Sequence, residues 1–542
     1  MSRQSVLAEP VPPADERRRR IEAEPLPANL GALLDAAARD VPDRTVLEFF
    51  EDGTRCTFAE LRAAVNRLAD GLAGVGVGRG MHVAVMLPNA MAFPITWLAL
   101  ARLGAVMVPM NPAYTRREIA YVVEDGDVDW VIVDHTRLEG FAALPGRLQR
   151  DRIVVLGDAV PGHVRWDDLQ SIGRADFEPS QPAAPDDLLN IQYTSGTTGL
   201  PKGCMLTQRY WLTAGLVNAR RDGRVYERLL ASTPFFYMDP QWLLMMALYQ
   251  RATLFVARRQ SASRFMGWVR EHGIRFTLLP AVVLKQPVDP REREHRLVRV
   301  NVYGLPREDH ATLEDRFDCV AREAYGMTEI GSGMFMPIEA QDMVGSGSCG
   351  IPSPFREARI VDPDGRPVAP GEAGELEIRG PGMLAGYYKK PEATAAAFRD
   401  GWFRTGDLFR QDARGYFFIV GRLKDMIRRA GENIAAREIE AVLSGLPEVV
   451  EAAAVPVPDP TRGEEVMAYV VLQPGLDRDA VPPARILDHC AANLAPFKVP
   501  RYLAYRDAFP KTPSDKIAKR LLAETGTDQR LGSWDRMEGR WR

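Results

Sequence analysis

Apolar and polar positions alternate along this chain in two rhythms. Leu61, Ala64, Val65, Leu68 and Leu72 recur at helical spacing, and Thr57 stands three residues before Glu60 as in a capping box, so a helix is expected from Thr57. After a glycine-rich stretch, His82–Leu87 is apolar enough for a strand buried on both faces, and Pro88 and Asn89 stop it. Val106–Val108, Arg116–Val123 and Trp130–Val133 repeat the order strand, helix, strand. That alternation predicts an α/β protein with a layered N-terminal domain of sheets and helices. Near Asp425 the pattern restarts. A helix at Ala436–Leu443, strands at Ala452–Val457 and Val466–Leu472, and a helix at Ala484–Leu494 predict a small α+β domain. The expected organisation is a flexible lead-in over 1–28, a large domain over 29–424, a small one over 425–525 and a tail over 526–542.

Composition narrows the function. With 542 residues, 46% hydrophobic and 26% charged, the chain can bury several cores. Lys plus Arg number 69 and Asp plus Glu 72, a net charge of -3 that draws the chain to neither nucleic acid nor an anionic membrane. An anionic ligand therefore needs a local site. Cys56, Cys204, Cys319, Cys349 and Cys490 are too far apart for a metal pair or a redox CxxC, and a reducing cytoplasm suits them. The longest apolar stretch, around Ala90 to Ala101, is short of the roughly 20 residues of a membrane helix. Arg17 to Arg20 lie in a polar segment without the apolar stretch of a secretory signal and are expected to be solvated and frayed.

Five short segments carry chemistry. In YTSGTTGLPKG, Tyr193 to Gly203, Gly196 and Gly199 allow close backbone approach, Thr194, Ser195, Thr197 and Thr198 offer hydroxyls, and Lys202 adds a mobile cation: a phosphate cradle. It is not a Walker A loop, because GxxxxGK[ST] is absent. YGMTE sets Tyr325, Gly326, Thr328 and Glu329 within five residues, suited to stacking a base, touching a phosphate and holding Mg²⁺. Asp407 follows a tight turn in WFRTGD, where a carboxylate can accept both hydroxyls of a ribose. GRLKDMIRRAGENI places Arg422 and Lys424 beside Asp425, and PKTPSDKIAKR places Lys516 after a Pro/Ser turn. Taken singly, the last four are ordinary turns and surface charges.

In this order the five segments resemble the adenylate-forming superfamily, and MIRRAGENI followed by AAREIE resembles its acyl-CoA synthetase branch. The resemblance spans roughly Thr57 to Arg520. It implies ATP-dependent conversion of a carboxylic acid to acyl-AMP and then acyl-CoA, with ATP, Mg²⁺ and coenzyme A. It also implies a mobile C-terminal lid. Tyr193 to Gly203 would cover the phosphates, Tyr325 would stack on adenine, and Gly304, Leu305 and Pro306 would line its other side. Thr328 would meet the α-phosphate and Glu329 the Mg²⁺. Asp407 would bind the ribose with Arg422 in support, Asp425 would be the hinge, and Lys516 would bridge the acyl carboxylate and the α-phosphate.

Three positions depart from the family pattern: Gln208 and Tyr237 stand where histidines are usual, and Asp515 replaces the glycine before Lys516. Tyr237 bears on acyl specificity and on the CoA step. The acyl pocket is expected between Tyr237, Met238 and Trp242 on one side and Gly331 and Gly333, with Ser332 and Met334, on the other. Neither segment holds Arg or Lys, so a bulky, mostly hydrophobic monocarboxylic acid is expected, with Asp239 the one group that could attract a cationic or hydroxylated substrate. Two other readings stay open. One is an adenylate-only enzyme that hands acyl-AMP to a carrier protein or partner enzyme, and the other is a nucleotide-binding protein without catalysis.

Overall fold

The computed structural model describes residues 2–142, 148, 150–194, 201–429, 432–512, 516–523 and 528–542. Its chain falls into two compact units. The larger draws on Met1–Thr194, Pro201–Glu357 and Ile378–Gly401, and the smaller on Ala358–Glu377 and Trp402–Arg542, so strands on both sides of Asp425 belong to the smaller unit.

In the larger unit one sheet has seven strands in the order Val164–Arg165, Ile153–Leu156, Trp130–Asp134, His82–Met86, Val106–Pro109, Leu188–Thr194 and Lys202–Thr207. All neighbours are parallel except the last pair. Parallel strands need crossovers, and the helices Ala92–Leu103 and Arg116–Asp125 supply them. Val108, Val122, Val131 and Ile191 close one face of this sheet. The expected helix from Thr57 runs over Phe58–Gly74, with the reciprocal Thr57 and Glu60 capping bonds in place. The apolar run near residue 95 is a wholly buried helix, its Pro94 tolerated within the first turn.

A second sheet of this unit sets Thr253–Val256, Arg228–Ala231, Phe276–Leu278, Arg299–Val302 and Val320–Met327 side by side in parallel. Gly331–Phe335 returns antiparallel to the last of these. Val300 and Val302 face an apolar cluster with Phe265, Leu313 and Phe317. Strand periodicity puts Arg299 and Asn301 on the opposite face.

Residues 3–23 differ from the flexible lead-in expected for them. They form the helices Arg3–Ala8 and Ala14–Ala23. Arg17 is buried, donates from Nε to the Arg221 carbonyl at 2.7 Å and pairs through Nη2 with Glu339 at 2.9 Å. Arg18 donates to the Arg356 carbonyl at 2.7 Å. Each guanidinium finds acceptors on the folded body, which offsets the ordering of a polar segment. Arg20, paired with Glu16, stays at the surface as expected.

In the smaller unit the helix Ala436–Ser444, the strands Val449–Asp459 and Gly463–Leu472, and the helix Pro483–Asn493 match the expected α+β pattern. Ile427, Ile439, Leu443, Val466 and Leu503 share its core. The tail docks here: Trp534–Asp535 pairs with Tyr502–Tyr505, and buried Asp535 lies 3.3 Å from Arg501 and 2.9 Å from Arg542. Among the described residues no helix is long and apolar enough to cross a membrane.

Candidate functional site

The strand Leu188–Thr194 ends where Lys202–Thr207 begins beside it, with Thr194 opposite Lys202 and Tyr193 opposite Gly203, so the cradle segment leaves and returns at one place. Ser195, Gly196, Thr197, Thr198 and Gly199 lie outside the described residues. Both ends of the segment are anchored. The Tyr193 hydroxyl donates to Asp125 at 2.8 Å, Lys390 holds the other Asp125 oxygen at 2.7 Å, and the Tyr121 hydroxyl donates to the Pro201 carbonyl at 2.8 Å. The Lys202 ammonium stands 5.0 Å from the Tyr387 ring centroid, within cation–π range. Tyr387 in turn donates its hydroxyl to Glu329 Oε1 at 3.0 Å. Cys204 touches Thr194 and Glu329, and burial first, then the Glu329 charge, pushes its thiol well above the usual range. Thr194, Lys202 and Glu329, from three stretches of chain, thus meet around Tyr387 and Cys204. No motif singled out those last two.

The other nucleotide candidates of this unit sit in tight backbone. A Cβ on Gly326 would lie 2.5 Å from the Gly331 carbonyl oxygen, so the return of the next strand requires glycine there. Gly304 takes φ of +67°, and its N–H and that of Leu305 donate to Glu323 at 3.2 and 2.7 Å. Pro306 then caps the helix Arg307–Phe317. Tyr325 is buried at the end of its strand, and the Thr328 carbonyl accepts from the Tyr210 hydroxyl at 2.9 Å. Gln208 is framework: it accepts from the Leu30 N–H at 3.0 Å and donates to the Ala101 carbonyl at 2.9 Å.

In the smaller unit Asp407 and Arg422 face each other on adjacent antiparallel strands, with Arg422 Nε 3.3 Å from Asp407 Oδ1. The Asp407 N–H donates to Thr405 Oγ1 at 3.1 Å, which fixes the turn. Asp425 ends the short turn Leu423–Asp425, and Lys519 lies 3.5 Å from it and 2.6 Å from Glu440. Burial lowers the pKa of the neighbouring Lys424 ammonium. Lys516 is exposed. Its carbonyl accepts from the Thr512 N–H at 2.7 Å, and residues 513–515 between them lie outside the described residues.

The expected acyl walls lie in the larger unit. Tyr237 caps the helix Met238–Gln250, Trp242 is buried on it with Nε1 donating to Asp239 at 3.2 Å, and Gly331–Phe335 runs as a strand with Met334 buried. These segments hold no Lys or Arg, but the fold brings one from elsewhere. The Arg221 guanidinium, just beyond the helix Gln208–Arg220, lies 5.9 Å from the Phe335 ring centroid. Asp222 pairs with Arg299 and accepts the Tyr226 hydroxyl at 3.0 Å. ARRDGR carries no local sign of such a role. Among the described residues no three His, Cys, Asp or Glu side chains are placed to hold a metal ion by themselves.

Known proteins match this arrangement along nearly the full length. The AMP-binding enzyme family model covers residues 34–388, and that of the AMP-binding enzyme C-terminal domain covers 438–516. A sulfoacetate–CoA ligase of Cupriavidus necator is 34% identical over 506 residues, 91% of this chain and 97% of the relative. A feruloyl-CoA synthase of Amycolatopsis is 35% identical over 90% of this chain and 97% of the relative. Among solved structures, ATP-bound MatB from Rhodopseudomonas palustris superposes with a TM-score of 0.83 at 28% identity, covering 93% of this chain and 99% of that one.

Proposed function

Since the chain belongs to the AMP-binding enzyme family and is an AMP-forming acid–CoA ligase, we propose how its residues divide the work. The segment from Thr194 to Lys202 encloses the β- and γ-phosphates of ATP, and Tyr325 and the Gly304–Pro306 turn hold the adenine. Asp407 accepts the ribose hydroxyls, and Arg422, 3.3 Å away, supports that carboxylate. Thr328 and Lys516 meet the α-phosphate where the acyl carboxylate attacks. Two anions must approach there, so positive charge placed in advance lowers the barrier more than it favours the ground state.

Glu329 fits an Mg²⁺ ligand. It is a buried carboxylate with one oxygen held by Tyr387, and Mg²⁺ in such sites takes one or two carboxylates and fills its shell with phosphate oxygens and waters. When bound, the ion neutralises phosphate charge. Tyr387 fixes the direction of the carboxylate, and Lys202, stacked on the same ring, is positioned for the phosphates.

For the second half-reaction we place the hinge at Asp425, so that Lys516 leaves and a pantetheine thiol reaches the mixed anhydride. AMP is a good leaving group, so the thiol needs little further help. The acid itself is proposed to have a bulky apolar body lying against Met238, Trp242 and Met334.

The convergence of Thr194, Lys202 and Glu329 around Tyr387, in a chain matched by both family models, carries this reading. Incubation with ATP, Mg²⁺, coenzyme A and an acid panel, following pyrophosphate, acyl-AMP and thioester separately, is expected to show all three products. Acyl-AMP without thioester would favour transfer to a partner, and no pyrophosphate release with any acid would refute the reading.

A further inference from the structure

The buried cluster beside Phe335 carries more positive charge than the protein neutralises. Arg221 is 2% exposed, yet among the described residues it makes one side-chain hydrogen bond, from Nη2 to Asn301 Oδ1 at 3.0 Å, and no ion pair. Its neighbour Arg299 is fully buried and takes Asp222. Two guanidinium groups therefore share one carboxylate.

The polar atoms left over in this cluster are all donors. Arg221 Nε, Arg299 Nε and Nη2, and Asn301 Nδ2 are sealed from solvent without a partner. Burial, and second the nearby Arg299 charge, lower the Arg221 guanidinium to about 10. A buried cation in this state lacks an anion, because desolvation is offset only by pairing.

Tyr303 connects the cluster to open space. It is 48% exposed, and its hydroxyl feels Asp239 on one side and Arg221, Asn301 and Arg299 on the other. Arg221 lies against Phe335, and Asn218, one turn earlier on the same helix, bonds Ser332 at 3.2 Å. Phe335 and Tyr303 thus adjoin the cluster of unpaired donors.

We propose that the acid activated by this enzyme carries a second anionic group, carboxylate or sulfonate, at the end remote from the reacting carboxyl, and that Arg221 and Tyr303 bind it. This rests on the ligase reading above and replaces the uncharged far end expected from the sequence. A neutral end would leave the guanidinium unpaired, and a cationic end would add like charge to it. Asp239, bonded to Trp242, lies on the Tyr303 side and disfavours an anion there, which directs the group toward Arg221.

The test uses the full chain and ATP–pyrophosphate exchange with matched acids: succinate against butyrate, adipate against hexanoate, and p-carboxycinnamate and p-sulfocinnamate against p-methylcinnamate. In at least one set the anion-ended acid is expected to exceed the neutral one by about 10-fold or more in kcat/KM. Arg221→Gln is expected to lower that ratio by about 10- to 100-fold, mainly through KM, and Arg221→Lys to restore part of it. Because Arg221 is buried, Tyr303→Phe is the companion variant. It removes only the hydroxyl that faces the cluster and is expected to lower the same ratio by about 3- to 10-fold, with a thermal unfolding midpoint shifted less than that of Arg221→Gln. Neutral acids equal to or better than anionic ones in every set would overturn this proposal and leave the ligase reading standing. So would a ratio that neither Arg221→Gln nor Tyr303→Phe alters. Exchange with no acid at all would overturn both.

Discussion

Asp222 with Arg299 in the larger unit and Asp407 with Arg422 in the smaller are the same chemical pair in opposite surroundings. Asp222 and Arg299 are both sealed from solvent, at 1% and 0% side-chain exposure, and Arg221 leans on the same aspartate. Asp407 is buried at 8%, but the Arg422 side chain is 44% exposed. Water screens the second pair, so its direct contribution to stability is about 0–1 kcal/mol. In the first pair the removal of one partner strands an unsolvated charge. A half-exposed arginine holds a carboxylate in place at little cost to the fold, which suits a site proposed to accept hydroxyls. A sealed cluster ties its charges to the fold itself and leaves a surplus cation for an incoming anion.

The largest expected effect breaks the sealed pair. Asp222→Asn leaves Arg299 and Arg221 both without a carboxylate and is expected to cost about 3–5 kcal/mol in urea unfolding. A loss below about 1 kcal/mol would make the two pairs equivalent and end the contrast. Next in size is Lys516→Ala, which extends the comparison to an exposed cation in the smaller unit. Acyl-AMP formation is expected to fall about 10²-fold or more, while thioester formation from supplied acyl-AMP falls much less and the unfolding midpoint stays in place. Equal losses in both half-reactions would remove Lys516 from the adenylation step.

What could be read from the sequence divides along the same line. Asp407, Arg422, Glu329 and Lys202 stand in contiguous segments whose residue types state their chemistry, and the strand and helix alternation predicts the α/β class that the structure shows, though Asp407 and Arg422 fall in the smaller unit. Arg221, Tyr303 and Tyr387 act through neighbours 80, 64 and 58 positions away along the chain, Asn301, Asp239 and Glu329, and no local pattern marks them. The same blindness explains the lead-in. A run of arginines reads as solvated unless the acceptors that bury it are known, and those of Arg17 are Glu339 and the Arg221 carbonyl, far along the sequence. The cation beside Phe335 has no local mark for a related reason, since it comes from a helix end outside both expected wall segments.

The smallest expected effect sharpens the comparison from the exposed side. Asp407→Asn preserves shape and one acceptor oxygen but removes the charge, so a hydroxyl that donated to a carboxylate would donate to a neutral amide. A hydrogen bond to a charged group is worth about 1.5–3 kcal/mol and one to a neutral group about 1, so the KM for ATP is expected to rise about 10-fold with kcat little changed. Stability is expected to move by less than about 1 kcal/mol, because Arg422 can turn its 44% exposed side chain to water. ATP lacking its ribose hydroxyls separates the direct contact from a general loosening of the turn held by Thr405. If Asp407 meets the ribose, the dideoxy nucleotide is penalised in the parent enzyme and much less in Asp407→Asn, and the two changes together fall well short of the sum of each alone. Additive losses would mean that Asp407 only braces its strand, and that the half-exposed pair, like the sealed one, serves the fold.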